Sequence, residues 1–199
     1  MQGQLFDPKP NKPVMVMEPI KLNIGCGNNK IEGYINIDAS PELDVDMTID
    51  AKKGLPFPDN SVEEILFFHA IEHIEEKFHN QVLEEFWRVL KPEGLILISY
   101  PEFEKCAQNY IDNHRGLREF WKNTIYGLQR YAGDYHVALM NSELFAEKLQ
   151  EIGFINIEWK AEMYEPYNTI MKAQKGEAFM SYEELLRKQM LDWQKSNEV

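Results

Sequence analysis

Leu22-Asn23-Ile24-Gly25-Cys26-Gly27 and, closely following, Gly33-Tyr34-Ile35-Asn36-Ile37-Asp38 decide how this chain is read. The first stretch is a short strand, Lys21–Ile24, running into a glycine turn. The second contains a strand, Tyr34–Ile37, ended by a carboxylate. Glycines after a strand let backbone N–H groups approach a ligand with no Cβ in the way. A carboxylate at the end of the next strand can accept both hydrogen bonds of a ribose diol. In an open parallel sheet, ligands bind outside the carboxyl ends of the strands, near the switch in strand order. A Gly-x-Gly is also a plain tight turn, and Asp38 before Ala39-Ser40-Pro41 is also an Asx-turn. At the ends of successive strands, the two together favour nucleoside binding.

The spacing narrows the nucleoside. A dinucleotide fingerprint needs a third glycine where Lys30 stands, and a helix whose N-terminus holds the pyrophosphate, with the acid about 20 residues on. Here 38 − 25 = 13 positions separate Gly25 from Asp38, room for little more than a turn. The pattern suits a cofactor with a sugar and a base but no diphosphate.

Outward from this core the punctuation is regular. Asp46–Ile49 is a third strand ending at Asp50, and Glu64–Phe68 a fourth ending at His69. Lys77–Leu90 changes to helical period, with Val82, Leu83, Phe86, Trp87, Val89 and Leu90 on its apolar face. Lys91-Pro92-Glu93-Gly94 stops that helix. Leu95–Ser99 is nearly all apolar, as expected of a central parallel strand. Ser142–Ile152 reads as a helix capped at Asn141 or Ser142 and closed by Gly153. Phe154–Trp159 and Thr169–Ala173 are the last strands, and Ser181–Trp193 a closing helix opened in capping-box spacing by Ser181 and Glu184. The expected fold is α/β: a Rossmann-like three-layer sandwich on a seven-stranded, mostly parallel sheet with an antiparallel edge pair. Residues 1–20 form a proline-spaced arm and 21–180 the domain, with a helical insertion at 101–141. Residues 181–199 are a C-terminal helix and tail.

At 199 residues the chain is long enough for one domain with its own core. Its 33 acidic against 21 basic residues give −12, which disfavours a phosphate backbone or an anionic membrane as partner. Cys26 and Cys106 are too few for a disulfide framework. No apolar run approaches the roughly 20 residues needed to cross a bilayer, and prolines interrupt the N-terminus where a signal peptide would be apolar. A cytoplasmic protein is expected.

The two opening stretches resemble the class I S-adenosylmethionine-dependent methyltransferases. So do Leu55-Pro56-Phe57-Pro58-Asp59-Asn60-Ser61, His69-Ala70-Ile71-Glu72-His73 and Phe86-Trp87-Arg88-Val89-Leu90-Lys91-Pro92-Glu93-Gly94. The look is closest to bacterial and phage members linked to surface-sugar modification. The resemblance runs from about Lys21 to Tyr100 and, more weakly, to Lys175. It implies S-adenosyl-L-methionine as cofactor, with Gly25, Cys26 and Gly27 around its methionine part and Asp38 on the ribose. Asp50 and the Ala51 N–H would read the adenine, while Phe68 and His69 would line the sulfonium end. Asn23 stands where many relatives carry an acid facing the methionine ammonium. Glu93 replaces a commoner glycine.

His69-Ala70-Ile71-Glu72-His73 also matches H-x-x-E-H, a zinc pattern of helices. His69 directly follows a strand and no further ligand stands out in the sequence, so no metal is expected. On the acceptor side, Phe120, Trp121, Tyr126, Tyr131 and Tyr135 crowd the insertion, as pocket walls or as packing onto the sheet. His136 is the base candidate, its ordinary pKa being near neutrality, and it resembles a histidine that follows a Tyr-Gly element in the sugar-linked relatives. Cys26 is read as a small residue between glycines and not as a nucleophile. The expected function is methyl transfer to an oxygen or nitrogen of a small molecule, such as a sugar or sugar nucleotide. The rivals are a non-catalytic S-adenosylmethionine-binding partner protein and a zinc hydrolase using His69 and His73.

Overall fold

The computed structural model describes residues 19–131 and 133–176. Nearly all of the proline arm and the expected helix Ser181–Trp193 lie outside the described residues. Seven strands, β1 (Ile20–Ile24), β2 (Ile35–Asp38), β3 (Met47–Thr48), β4 (Val62–Phe68), β5 (Leu90–Pro101), β6 (Phe154–Ala161) and β7 (Asn168–Lys175), form one sheet. The helices are α1 (His79–Val89), α2 (Phe103–Ile111), α3 (Arg118–Tyr126) and α4 (Ser142–Ile152), with short 3₁₀ turns between elements.

The strand order is β3-β2-β1-β4-β5-β7-β6. The chain winds outward from β1 through β2 to β3, then returns to place β4 on the other side of β1. The order therefore switches between β1 and β4, and it is at the carboxyl ends of the strands near such a switch that open parallel sheets bind ligands. β1 to β5 pair in parallel. β7 is antiparallel to both β5 and β6, so it alone runs against the sheet. The reason lies in the connections: α4 carries the chain over to β6, and the 162–167 turn then folds β7 back into the gap beside β5.

One sheet face carries Phe67 and Tyr100 and is covered by α1 and α4. Phe67 meets Phe86 edge-on at 5.0 Å and Tyr100 meets Phe145 at 5.4 Å. Val82, Leu83, Phe86 and Val89 of α1 are buried, the face its helical spacing dictates. Its polar side has a task as well. Arg88 donates to the carbonyls of Leu55 and Phe57 and to Asp59, fastening the Leu55–Asp59 loop, while Glu85 accepts from the Leu55 N–H at 2.7 Å. After α1, Glu93 adopts a left-handed φ of +62°, a conformation that favours glycine. Gly94 follows it because a Cβ there would lie 2.8 Å from the Lys91 carbonyl oxygen. α4 begins and ends as read, with Asn141 accepting from the N–H groups of Glu143 and Leu144 and Gly153 closing it at φ +109°.

Candidate active site

The residues singled out in sequence sit at the carboxyl ends of four neighbouring strands. After β1, Gly25 has φ +65°, and a Cβ there would lie 2.6 Å from the Ala70 Cβ. Glycine thus lets the turn after β1 lie against the turn after β4. Gly27 is also left-handed, and no heavy atom lies within 4 Å of where its Cβ would be. The space above that glycine is open to a ligand.

Asp38, at the end of β2, ties this loop down. Its Oδ2 accepts from the Gly27 N–H at 2.8 Å and its Oδ1 from the Ser40 N–H at 2.9 Å. The Asx-turn and the strand-end carboxylate are therefore one feature, because each oxygen keeps a second lone pair for a ligand hydroxyl. Asp50 follows β3 and caps the 3₁₀ turn Ala51–Lys53, accepting from the Lys52 N–H at 3.1 Å; Ala51 is buried beneath it. Phe68 is half-buried at the end of β4, and His69 is exposed with φ +50°.

Residues 25–34 link β1 to β2 without a helix. A polar cluster holds this short crossover instead. Asn23 and Asn36 stand opposite each other in the β1–β2 register, both buried. The Asn23 amide donates to Asn36 Oδ1 and to the Asn29 carbonyl, both at 2.9 Å. Asn36 also bonds Ile31 and Tyr34, and it donates through backbone and side chain to Asp46. Those bonds hold the Asp46 carboxyl below the usual range. Asn23 thus shapes the loop that would surround a ligand. Asn36 and Asp46 escaped the sequence reading, although a polar residue within an apolar parallel strand was a signal. Cys26 is buried, and burial, with Asp38 nearby, pushes its thiol pKa up.

A second group gathers beyond β4. Its turn is the 3₁₀ segment Ile71–His73, not an α-helix. The Glu72 carbonyl accepts from the N–H groups of Val137 and Ala138 at 2.8 and 3.2 Å, which brings His136 beside it. The His73 and His136 rings meet at 4.8 Å. Burial, helped by the neighbouring histidines, lowers the His136 pKa against the opposing pull of Glu72. At His69 burial acts downward too, but Glu72, Glu162 and Glu165 outweigh it and the pKa is raised. Of the insertion's aromatic residues only Trp121 is buried, against Tyr167 at 5.1 Å; Phe120, Tyr126, Tyr131 and Tyr135 are exposed.

Residues 22–98 match the family model of a methyltransferase domain. That span runs from β1 into β5 and includes every strand end just described. Among curated proteins no sequence matches the chain. Solved structures share its fold. A SAM-dependent methyltransferase from Archaeoglobus fulgidus is 18% identical, with a TM-score of 0.57 over 79% of this chain and 86% of that one. One from Thermotoga maritima is 16% identical, TM-score 0.57, over 81% and 84%. A complex of a Haloferax volcanii methyltransferase with the Trm112 methyltransferase activator gives 14% and 0.54, over 80% and 83%. At such identities the likeness is one of fold. Among the described residues no helix is long and apolar enough to cross a membrane.

Proposed function

We propose that the chain is an S-adenosyl-L-methionine-dependent methyltransferase acting on a small hydroxylated or amino acceptor. The observation that carries this reading lies at the carboxyl ends of β1 and β2, where an open glycine loop meets the strand-end carboxylate of Asp38 and residues 25–34 form no helix. A diphosphate cofactor is held at a helix N-terminus; a sulfonium nucleoside needs no such cradle. The methyltransferase match to residues 22–98 supports the same cofactor.

The residues fit the cofactor in these roles. Gly25, Cys26 and Gly27 would surround its methionine part, in a loop that Asn23 shapes. Asp38 would accept from the ribose hydroxyls, Asp50 and Ala51 would face the adenine, and Phe68 and His69 would line the sulfonium end. When bound, the cofactor would supply an electrophilic methyl group to an acceptor lone pair, the S–C electron pair staying on sulfur and the acceptor proton passing to solvent water. The chain holds donor and acceptor in near-attack geometry, the source of most of the rate. His136, beside Glu72, would face the acceptor. A sugar or sugar nucleotide suits an acceptor end lined by imidazoles and carboxylates, and agrees with the resemblance to sugar-linked members.

Titration calorimetry with S-adenosylmethionine, S-adenosylhomocysteine and NAD tests the cofactor; binding of the first two and not the third is expected. Methyl-labelled cofactor offered with sugars, nucleotides and amines then identifies the acceptor. Binding of NAD alone would overturn the reading.

A further inference from the structure

Glu72, His73 and His136 converge at the acceptor end of β4. One ligand atom from each lies within 4.8 Å of the others. Glu72 is 2% exposed. Its Oε1 faces His69 Nδ1 at 3.5 Å, while Oε2 is buried without a hydrogen-bond partner among the described residues. A buried carboxylate oxygen with no donor is costly unless a cation lies against it.

The His73 imidazole is oriented to offer a lone pair. His73 bonds the Tyr135 carbonyl through Nδ1 at 2.9 Å, so Nδ1 carries the proton and Nε2 is left as acceptor. A ring N–H given to the backbone is the arrangement that orients metal-bound histidines. Beside them a cavity of about 10 Å³, lined by Glu72, Thr124 and His136 among others, has room for about one water-sized occupant.

We propose that Glu72, His73 and His136 bind a divalent transition-metal ion such as Zn²⁺, Co²⁺ or Mn²⁺. Two imidazoles and one carboxylate suit these ions better than Mg²⁺ or Ca²⁺. Tetrahedral ligands of one Zn²⁺ at roughly 2.1 Å stand about 3.4 Å apart, so side chains now within 4.8 Å of one another need to draw in by up to about 1.4 Å. The sequence reading set a metal aside because His69 follows a strand where the motif needs a helix, and because no third ligand stood out. The fold supplies it from His136, not from the His69–His73 pair.

Three protein ligands leave an open position for an acceptor hydroxyl. Bound there, the hydroxyl has a lowered pKa and loses its proton to solvent water, leaving its oxygen as nucleophile. That role rests on the methyltransferase reading; the metal site does not. In it His136 is a ligand, and the ion activates the acceptor.

Untagged protein stripped with chelator is titrated with Zn²⁺ by calorimetry and with Co²⁺ by its visible absorption. One equivalent is expected to bind. Glu72→Gln and His136→Gln should each weaken it at least tenfold, while S-adenosylmethionine affinity is kept and the exposed-turn control His114→Gln binds as wild type. Variants on two separate elements keep the test readable should one fail to fold. No binding to the stripped wild type, or equal binding by both variants, overturns the proposal whatever the methyl-transfer assay shows. Metal binding in a protein that fails to bind S-adenosylmethionine supports the metal site and overturns the methyltransferase reading instead.

Discussion

Replacing Asp38 by alanine separates the two tasks this carboxylate performs. In the structure it accepts from the N–H groups of Gly27 and Ser40, and the proposed ribose contact adds two hydroxyl donors on its remaining lone pairs. Hydrogen bonds to a charged group contribute about 1.5–3 kcal/mol each. Asp38 is half-buried, so water replaces part of that, leaving about 2–4 kcal/mol of binding. At 1.4 kcal/mol per factor of ten, this is a roughly 30- to 700-fold rise in the S-adenosylmethionine dissociation constant. Loss of the two backbone bonds should cost about 1–2 kcal/mol of stability as well. Asp38→Asn keeps one acceptor oxygen and should fall between wild type and alanine in both respects. Calorimetric titration beside thermal melting reads the two effects separately. A dissociation constant within about twofold of wild type, with the stability loss intact, would refute the ribose role and leave Asp38 as a loop fastener.

Asp50→Ala should weaken cofactor binding by about 1–3 kcal/mol, the loss of one acceptor over the base; an unchanged titration would make it only the cap of its turn. Gly25→Ala should destabilise by about 2–4 kcal/mol, combining a left-handed φ with overlap against Ala70, and thermal melting would show it. Asn23→Ala removes two buried hydrogen bonds that hold residues 25–34, so melting should fall by about 1–3 kcal/mol and cofactor affinity with it. His79 is buried against the Ile74 carbonyl, and burial lowers its pKa below the ordinary value. The unfolded chain therefore binds this proton first, so stability present above about pH 6.5 declines as pH falls toward the lower folded value. His79→Gln should flatten that part of a stability–pH curve measured by denaturant titration.

The strands of the parallel core, the helices α1 and α4 and the strand-end residues Gly25, Gly27, Asp38 and Asp50 were legible in the sequence. They depend on local rules: apolar periodicity, glycine where φ is positive, a polar cap where a helix begins. The short interval from Gly25 to Asp38 even gave away the missing crossover helix. What that interval could not show is how the loop stands without one, because the bond from Asn23 to Asn36 exists only once β1 and β2 are in register. The same limit hid β7 between β5 and β6, since pairing partners are chosen by how the whole sheet closes. It hid the acceptor-side cluster most of all. H-x-x-E-H suggested His69 with His73, yet the 3₁₀ turn points the chain elsewhere, and backbone bonds from Val137 and Ala138 to Glu72 bring in His136 from the far end of the insertion. The chain by itself thus determines the glycine loop and strand-end carboxylates of the proposed cofactor site, built from neighbours in sequence. The grouping of Glu72, His73 and His136 is decided only by tertiary packing, because no local preference links residues so far apart along the chain.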